Sequence, residues 1–443
     1  MQLWARSRPF DNPIRSLAAL FVVWKCLILV IAYCSPGPGY DTSTNLLLPA
    51  HESGEGRNLP TIVRHLVGRL TRWDAFYYVK AANRGYLFEQ EWAFGWGFTR
   101  IIALGTAGLE KIGVAHYDGV EAVVAICIAH FAHFLSVLLL FNLTLAVFPG
   151  STTRFAFTAA ALYIISPAGI FLSAPYAESS CALFTFAGCL AFAKSFNSEQ
   201  PSTTAKHDLL LLGSGVLFGI SATLRSNGLL NGLLLLEEAF RVLLSLKDDF
   251  QTARIRRLIA SGLGGLSVAS GFLLPQYISY SDFCREEGVA ILRPWCTKSL
   301  PSIYTFVQEH YWNVGLFRYW TLSNLPLFML AAPMLVMMTI SGVWGLSSNR
   351  QVQHATNKQP KRAEEGFPIL RNMATSQLLF TLITFTTAHV QIITRTSSAF
   401  PVWLWYSIMS SEEGNSVVRN MAKFMVMYVV IQGGLFASFL PPA

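Results

Sequence analysis

Charge is what this chain has least of. Of its 443 residues only 13% are Asp, Glu, Lys or Arg while 53% are apolar, and a soluble domain typically carries about 25% charged residues. That shortage excludes an ordinary soluble globular protein. Also missing are a glycine-rich phosphate loop, a zinc-type Cys/His spacing and a nucleophile elbow, so neither nucleotide hydrolysis nor zinc or serine-hydrolase chemistry finds support in the sequence. No inverted repeat of the secondary-transporter kind is found, which weighs against a lipid or solute transporter.

What the sequence has in abundance is long apolar runs. Segments 16–34, 119–148, 155–173, 176–194, 208–225, 228–246, 258–280, 324–345, 373–393 and 421–439 are mostly long enough to cross ~30 Å of hydrocarbon at 1.5 Å per residue. A shorter aromatic piece, 400–410, either crosses or lies in the interface. Only helices or closed barrels satisfy every backbone amide in lipid, and barrel-type alternation is absent. The pattern predicts an all-α polytopic membrane protein, residues 1–443 forming one unit with about ten or eleven transmembrane helices. The first run carries Lys25 and lacks a small-residue cleavage site, so it reads as a retained helix rather than a signal peptide.

Basic residues set the orientation. Arg6, Arg8 and Arg15 precede the first run, Lys247, Arg254, Arg256 and Arg257 crowd 247–257, and Arg350, Lys358, Lys361, Arg362 and Arg371 crowd 346–371. The positive-inside rule makes these segments cytoplasmic and places 35–118, a large first luminal loop, and 281–320, a second one, on the opposite side. The first loop holds basic residues too, among them Arg57, Arg64 and Arg69, matched by Asp41, Glu52, Glu55 and others. A charge-balanced solvated surface and a surface meeting lipid phosphates are both open.

Seven cysteines are present. Cys26, Cys34, Cys127, Cys181 and Cys189 lie in or beside apolar runs, where cysteine behaves as a small hydrophobe. Cys284 and Cys296 share the second luminal loop, and in an oxidising lumen they are expected to pair as a disulfide. The Asn142 glycosylation sequon falls inside an apolar run, so no glycan is expected there.

Polar groups gathered at helix ends on one side of a membrane point to function, because burying them in lipid is costly. On the predicted luminal side these are Asp74, Glu91, Glu178, Arg225, Asn227, His310, Asn313, His389, Gln391 and Arg395. In "RWDAFYYVKAANRGY", residues 72–86, Asp74 is the N-cap of a helix from Ala75 to Arg84, closed by Gly85, a catalytic carboxylate, or both, since a helix start holds it rigidly; Trp73 is an interfacial aromatic and Tyr77 and Tyr78 share the face of Asp74. "EWAFGWGFTR", residues 91–100, reads as a re-entrant segment anchored by tryptophans, or as a sugar platform in which Glu91 binds hydroxyls.

In "SAPYAESS", residues 173–180, Glu178 complements the positive end of the following helix. "TLRSNGLLNG", residues 223–232, is a tight turn bearing Arg225 and Asn227. "HVQIITR", residues 389–395, brings His389 and Arg395 near the same surface, where an arginine either snorkels to headgroups or clamps a phosphate.

These stretches, with "ISPAGIFLSAPYAES", "QEHYWNVGLFRYW" and "LPLFMLAAP", resemble in order the PIG-V type mannosyltransferases of glycosylphosphatidylinositol (GPI) assembly, in their fungal form, through most of the chain. The resemblance implies a GT-C type membrane glycosyltransferase of the endoplasmic reticulum. It further implies dolichyl phosphate mannose as donor, transfer of the second mannose in α-1,6 linkage to the mannosyl-glucosaminyl-phosphatidylinositol precursor, and, in fungi, a small membrane partner. A carboxylate of the first luminal loop serves catalysis in such enzymes, and Asp74 is the matching residue, with Glu91 the alternative. Trp73, Tyr77, Glu178, Arg225, Asn227, His310, Asn313, His389, Gln391 and Arg395 are then the expected substrate contacts. No metal, no other cofactor and no nucleic acid is expected. Where animal relatives have a Phe-Phe-Pro run, this chain has "AFGWGFTR". The nearest rival among enzymes is a mannosyltransferase that extends dolichol-linked oligosaccharide.

Overall fold

The computed structural model describes residues 10–37, 39, 42–48, 59–114, 117–196, 205–247, 249–285, 293–347, 360–412 and 416–440. Arg6, Arg8, Asp41, Glu52, Glu55, Arg57, Arg350 and Lys358, named above for their charge, lie outside these residues. The chain begins with α1 (Pro13–Cys34) and continues through α2 (Thr61–Leu70), α3 (Asp74–Arg84) and α4 (Trp96–Lys111) in the polar first loop. Next come α5 (Val120–Val147), α6 (Thr153–Ile164), α7 (Glu178–Lys194), α8 (Ala205–Leu224), α9 (Gly232–Ser245) and α10 (Thr252–Cys284). After α11 (Ile303–His310) and α12 (Leu325–Ser347) follow the helices Pro360–Thr386, Ile392–Thr396, Val402–Glu412 and Val417–Ala437. Among the described residues there is no strand.

Six helical stretches among the described residues are long and apolar enough to cross a bilayer unaided: Pro13–Cys34, Val120–Val147, Ala205–Leu224, Thr252–Cys284, Leu322–Ser347 and Val417–Ala437. This is a multi-pass membrane protein. Several expected crossings are broken instead. The 155–173 run stops as a helix at Ile164, because Pro167 cannot continue it, and resumes as the single 3₁₀ turn Gly169–Leu172. The 228–246 run starts with the 3₁₀ turn Ser226–Asn231 and becomes α-helical only from Gly232. Irregular backbone at membrane depth needs protein around it, and Gly169–Leu172 is wholly buried.

α5, α7, α8 and α10 pack side by side as the centre of the bundle, with α1 against the Val417–Ala437 helix and α12 against Pro360–Thr386. Lipid supplies no hydrophobic drive between helices, so contact relies on close approach and interhelical hydrogen bonds. Both are present. A Cβ on Gly215 would sit 2.3 Å from Gly264 Cα, and one on Gly271 would sit 2.1 Å from the Gly219 carbonyl oxygen, so α8 and α10 touch backbone to backbone. Thr185 of α7 lies 2.9 Å from Ser221 of α8 and accepts from Asn231 at 3.1 Å. Buried Lys25 of α1 donates to the Leu172 carbonyl and to Ser173 Oγ, each at 2.7 Å, which ties the 3₁₀ turn before α7 to the first helix.

The two long loops fold together over one end of the bundle. Trp92, Trp295, Ile303 and Val307 form a small apolar core between them. Glu89 accepts from Trp295 Nε1 at 2.7 Å, lies 3.0 Å from Arg293 and accepts from the Tyr311 hydroxyl at 3.4 Å. Cys284 at the end of α10 is disulfide-bonded to Cys296, and Asn142 turns its amide to the Leu138 carbonyl within α5.

Candidate active site

Asp74 is the first residue of α3, not its cap. The cap position belongs to Trp73 and no side chain caps the helix; Gly85 at the far end has the positive φ expected of it. Trp73 itself has φ 55°, a conformation that costs a non-glycine residue about 1 to 3 kcal/mol. With no capping duty, Asp74 Oδ2 accepts a hydrogen bond from Arg395 Nη1 at 2.9 Å.

Arg395 Nε lies 3.4 Å from Glu178 Oε1, and the same oxygen accepts from Arg225 Nη1 at 2.7 Å. The result is a chain of alternating charge, Asp74, Arg395, Glu178, Arg225. Three breaks in the bundle position it: the turn before α7 sets Glu178 at a helix start, the end of α8 presents Arg225, and the short helix Ile392–Thr396 carries Arg395. The Phe171 and Tyr176 rings flank the Arg395 guanidinium at 5.3 and 5.6 Å.

Exposure is highest at the Asp74 end and lowest at Glu178. Side chains retain 31% of their accessible surface at Asp74, 17% at Arg395, 16% at Arg225 and 1% at Glu178, so Asp74 is the member most open to an incoming group. Burial works against the charge on Arg395, but Asp74 and Glu178 outweigh it and hold the guanidinium above its ordinary value. Arg225 is raised in the same way, burial opposing and Glu178 prevailing. Both arginines stay charged.

Asp74, Arg225, His389 and Arg395 line a cavity of about 760 Å³, walled by the aromatic rings of Tyr78, Phe94, Trp96, Tyr304 and Trp312. The cavity is also bounded by Gly271, Phe272 and Pro275 of α10 and by Ile383, so it reaches from the loop cap down into the bundle. Burial, above all other influences, raises the Tyr78 phenol and keeps it neutral. His389 Nε2 is 2.9 Å from the Trp312 carbonyl and its ring stacks on Tyr319 at 4.7 Å. Gln391 accepts from the Tyr319 hydroxyl at 3.0 Å, which braces the same wall from behind.

Other sequence candidates lie elsewhere. Glu91 pairs with Arg84 at 2.6 Å and accepts from the Leu87 and Phe88 amides at 2.8 and 3.2 Å; its carboxylate closes its own loop and is not part of the cavity wall. Tyr77 stacks on Phe94 at 4.7 Å. Trp73 stacks on Phe439 at 5.1 Å. His310 stacks on Phe306, Asn313 makes a turn with φ 51°, and Asn227 points to Cys181 Sγ at 3.9 Å; none of these three lines the cavity. Sequence reasoning left Tyr78, Gln308 and Trp312 off the wall. For Tyr78 the signal was there, since it stands four residues after Asp74 on one helix face.

The stretch 94–100 has a steric role. A Cβ on Gly95 would lie 1.6 Å from the Leu224 carbonyl oxygen and one on Gly97 would lie 2.1 Å from Thr223 Oγ1. The two glycines let the aromatic loop press against the end of α8, immediately before Arg225.

Residues 14–443 match the family model described as "Mannosyltransferase (PIG-V)". The chain belongs to the PIG-V mannosyltransferase family. GPI mannosyltransferase 2 of Chaetomium globosum is 43% identical, aligned over 98% of this chain and 97% of that one. The proteins of the same description from Gibberella zeae and Aspergillus oryzae are 41% and 40% identical, with 98% and 96% of their lengths covered. Among solved structures, the oligosaccharyltransferase of Archaeoglobus fulgidus aligns over 96% of this chain and 54% of its own at a TM-score of 0.45 and 13% identity. ArnT from Cupriavidus metallidurans, bound to undecaprenyl phosphate, aligns over 94% and 76% at a TM-score of 0.34. Family membership makes this PIG-V chain a membrane glycosyltransferase, so the transporter alternative is set aside.

Proposed function

We propose that this chain transfers mannose from dolichyl phosphate mannose, in α-1,6 linkage and with inversion, to the mannosyl-glucosaminyl-phosphatidylinositol precursor of GPI anchors. The reaction takes place at the luminal face of the endoplasmic reticulum membrane, on a GT-C type scaffold. The observation that carries this reading is the Asp74–Arg395–Glu178–Arg225 chain facing an aromatic cavity, in a protein 43% identical to a GPI mannosyltransferase 2.

A β-linked phosphosugar giving an α product needs one in-line displacement. Asp74 accepts the proton of the acceptor 6-hydroxyl as its oxygen attacks the anomeric carbon. The bond from that carbon to the phosphate oxygen breaks, and the lipid phosphate leaves with the electron pair. With two carboxylates and two guanidiniums the chain of charges is neutral; once Asp74 holds the proton, one positive charge on Arg395 is no longer balanced. Positive charge is thus released as negative charge grows on the leaving phosphate, which is stabilisation specific to the transition state. Arg225 and His389, on the same wall, complete the phosphate environment. Guanidiniums supply this charge balance themselves, so transfer is expected to be insensitive to EDTA.

The test uses membranes containing the chain together with any small membrane partner, supplied with labelled dolichyl phosphate mannose. Label entering a phosphatidylinositol glycolipid, releasable as an α-1,6-linked mannose, supports the proposal. Label entering a dolichol oligosaccharide would favour the rival transferase and sink it.

A further inference from the structure

Outside the cavity, strained Trp73 meets a second strained residue. Past the helix Val417–Ala437 the chain turns through Phe439, which has φ 58° and is 1% exposed. Its ring stacks on the Trp73 indole at 5.1 Å with 11° between the planes, and the Arg72 guanidinium lies 4.7 Å from its centre. Two non-glycine residues in the rare positive-φ region thus meet ring to ring, one residue before Asp74. The surrounding turn is pinned as well: Arg72 donates to Thr44 Oγ1 at 2.9 Å, Thr44 donates to the Thr71 carbonyl at 2.9 Å, and Tyr176 donates to the Arg72 carbonyl at 3.2 Å. These bonds hold the backbone before Trp73. Trp73 itself, at positive φ, meets the Phe439 ring directly after them.

We infer that Phe439 is a positioning residue for transfer, its ring fixing Trp73 in the strained turn that aims Asp74 at Arg395 and the cavity. Strain of this kind persists only where surrounding structure over-determines it. Losing the stack weakens the hold on the indole, which also packs against the main core, so that Trp73 shifts toward negative φ and the first turn of α3 rotates. Asp74 then moves relative to Arg395, and a displacement of about 1 Å at a reacting group commonly costs ~10²-fold in rate. The inference rests on the reading of Asp74 as the base.

The experiment compares Phe439→Ala, Phe439→Leu, Phe439→Tyr, Asp74→Asn and the double variant Phe439→Ala/Asp74→Asn in the mannose-transfer assay, with detergent melting of each. Phe439→Leu keeps the apolar volume and guards against Phe439→Ala failing to fold. Expected are a fall of kcat by ten-fold or more in Phe439→Leu with KM for the donor within about two-fold, near-full activity in Phe439→Tyr, and no further loss from Phe439→Ala in the Asp74→Asn background, since both act through one carboxylate. Wild-type turnover in Phe439→Leu, beside an inactive Asp74→Asn, overturns the inference and leaves the base intact. A well-folded Asp74→Asn that still turns over overturns both.

Discussion

Two carboxylates of opposite accessibility divide the work at the residue scale. Asp74, the most exposed member of the charge chain, is the one free to receive a proton, whereas Glu178 is enclosed and shared by two guanidiniums. Asp74→Asn keeps size and polarity but removes both the proton affinity and the negative charge facing Arg395, so mannose transfer should fall ~10² to 10⁴-fold, with a smaller loss of detergent stability than at Glu178 because Asp74 is the more exposed partner. Glu178→Gln should lower stability more, because removing one partner of a buried ion pair leaves unpaired charge and commonly costs about 3 to 5 kcal/mol; melting in detergent reads the difference. The arginines also part company. Arg395 faces two carboxylates and Arg225 one, and lysine keeps the charge but loses the planar fork. Arg395→Lys is therefore expected to lose more transfer activity than Arg225→Lys, both losing at least ten-fold; wild-type turnover in both would remove the phosphate-clamp role.

The elements decide which residues meet, and here the sequence was readable only in part. Asp74, Glu178, Arg225 and Arg395 could each be singled out because polar groups at helix ends are costly in lipid, yet Asp74 and Arg395 stand 321 positions apart and nothing in either stretch announces the pair. Glu91 was attractive for the opposite reason, being close in sequence to Asp74; the 3₁₀ turn Glu89–Ala93 folds its carboxylate back onto Arg84. Hydropathy located the apolar runs and the turns near 175 and 226 between them, but not the 3₁₀ turns Gly169–Leu172 and Ser226–Asn231, since a proline or a buried 3₁₀ turn barely changes an average over twenty residues. Glu178 and Arg225 stand beside those turns. The glycines of 94–100 were visible without their purpose, which needs the neighbouring end of α8. Gly95→Ala must push the loop off the Leu224 carbonyl. Overpacking of this sort costs about 1 to 3 kcal/mol, and the shift should reach Arg225 next door. Lower melting together with a loss of transfer of ten-fold or more is expected, and an unchanged enzyme would show that the approach has slack.

Across the whole molecule, the bundle and its loop cap are held by different forces. The bundle has backbone contacts between α8 and α10 and hydrogen bonds between α7 and α8; the part of the cap around residues 86–96 and 293–312 has one small apolar core, the Glu89 clasp and the Cys284–Cys296 disulfide, whereas α2 to α4 also pack into the main core. Local stability follows local contact, so that part of the cap is expected to open first. Closing a short loop by a disulfide contributes about 2 to 4 kcal/mol, and here the contribution falls on the connection leading into α11, which carries Gln308 of the cavity wall. The double variant Cys284→Ser/Cys296→Ser should therefore exchange amide hydrogens faster around residues 86–96 and 293–312 while α5 and α7 keep their protection. Its transfer activity should also decay sooner on warming, since the wall that holds the sugars loosens before the helices part. The disulfide itself is checked by thiol labelling of untreated membranes under denaturation, in which neither cysteine should react. Labelling of both, or uniform exchange across cap and bundle in the variant, would show that the clasp and the apolar core suffice to hold the cap.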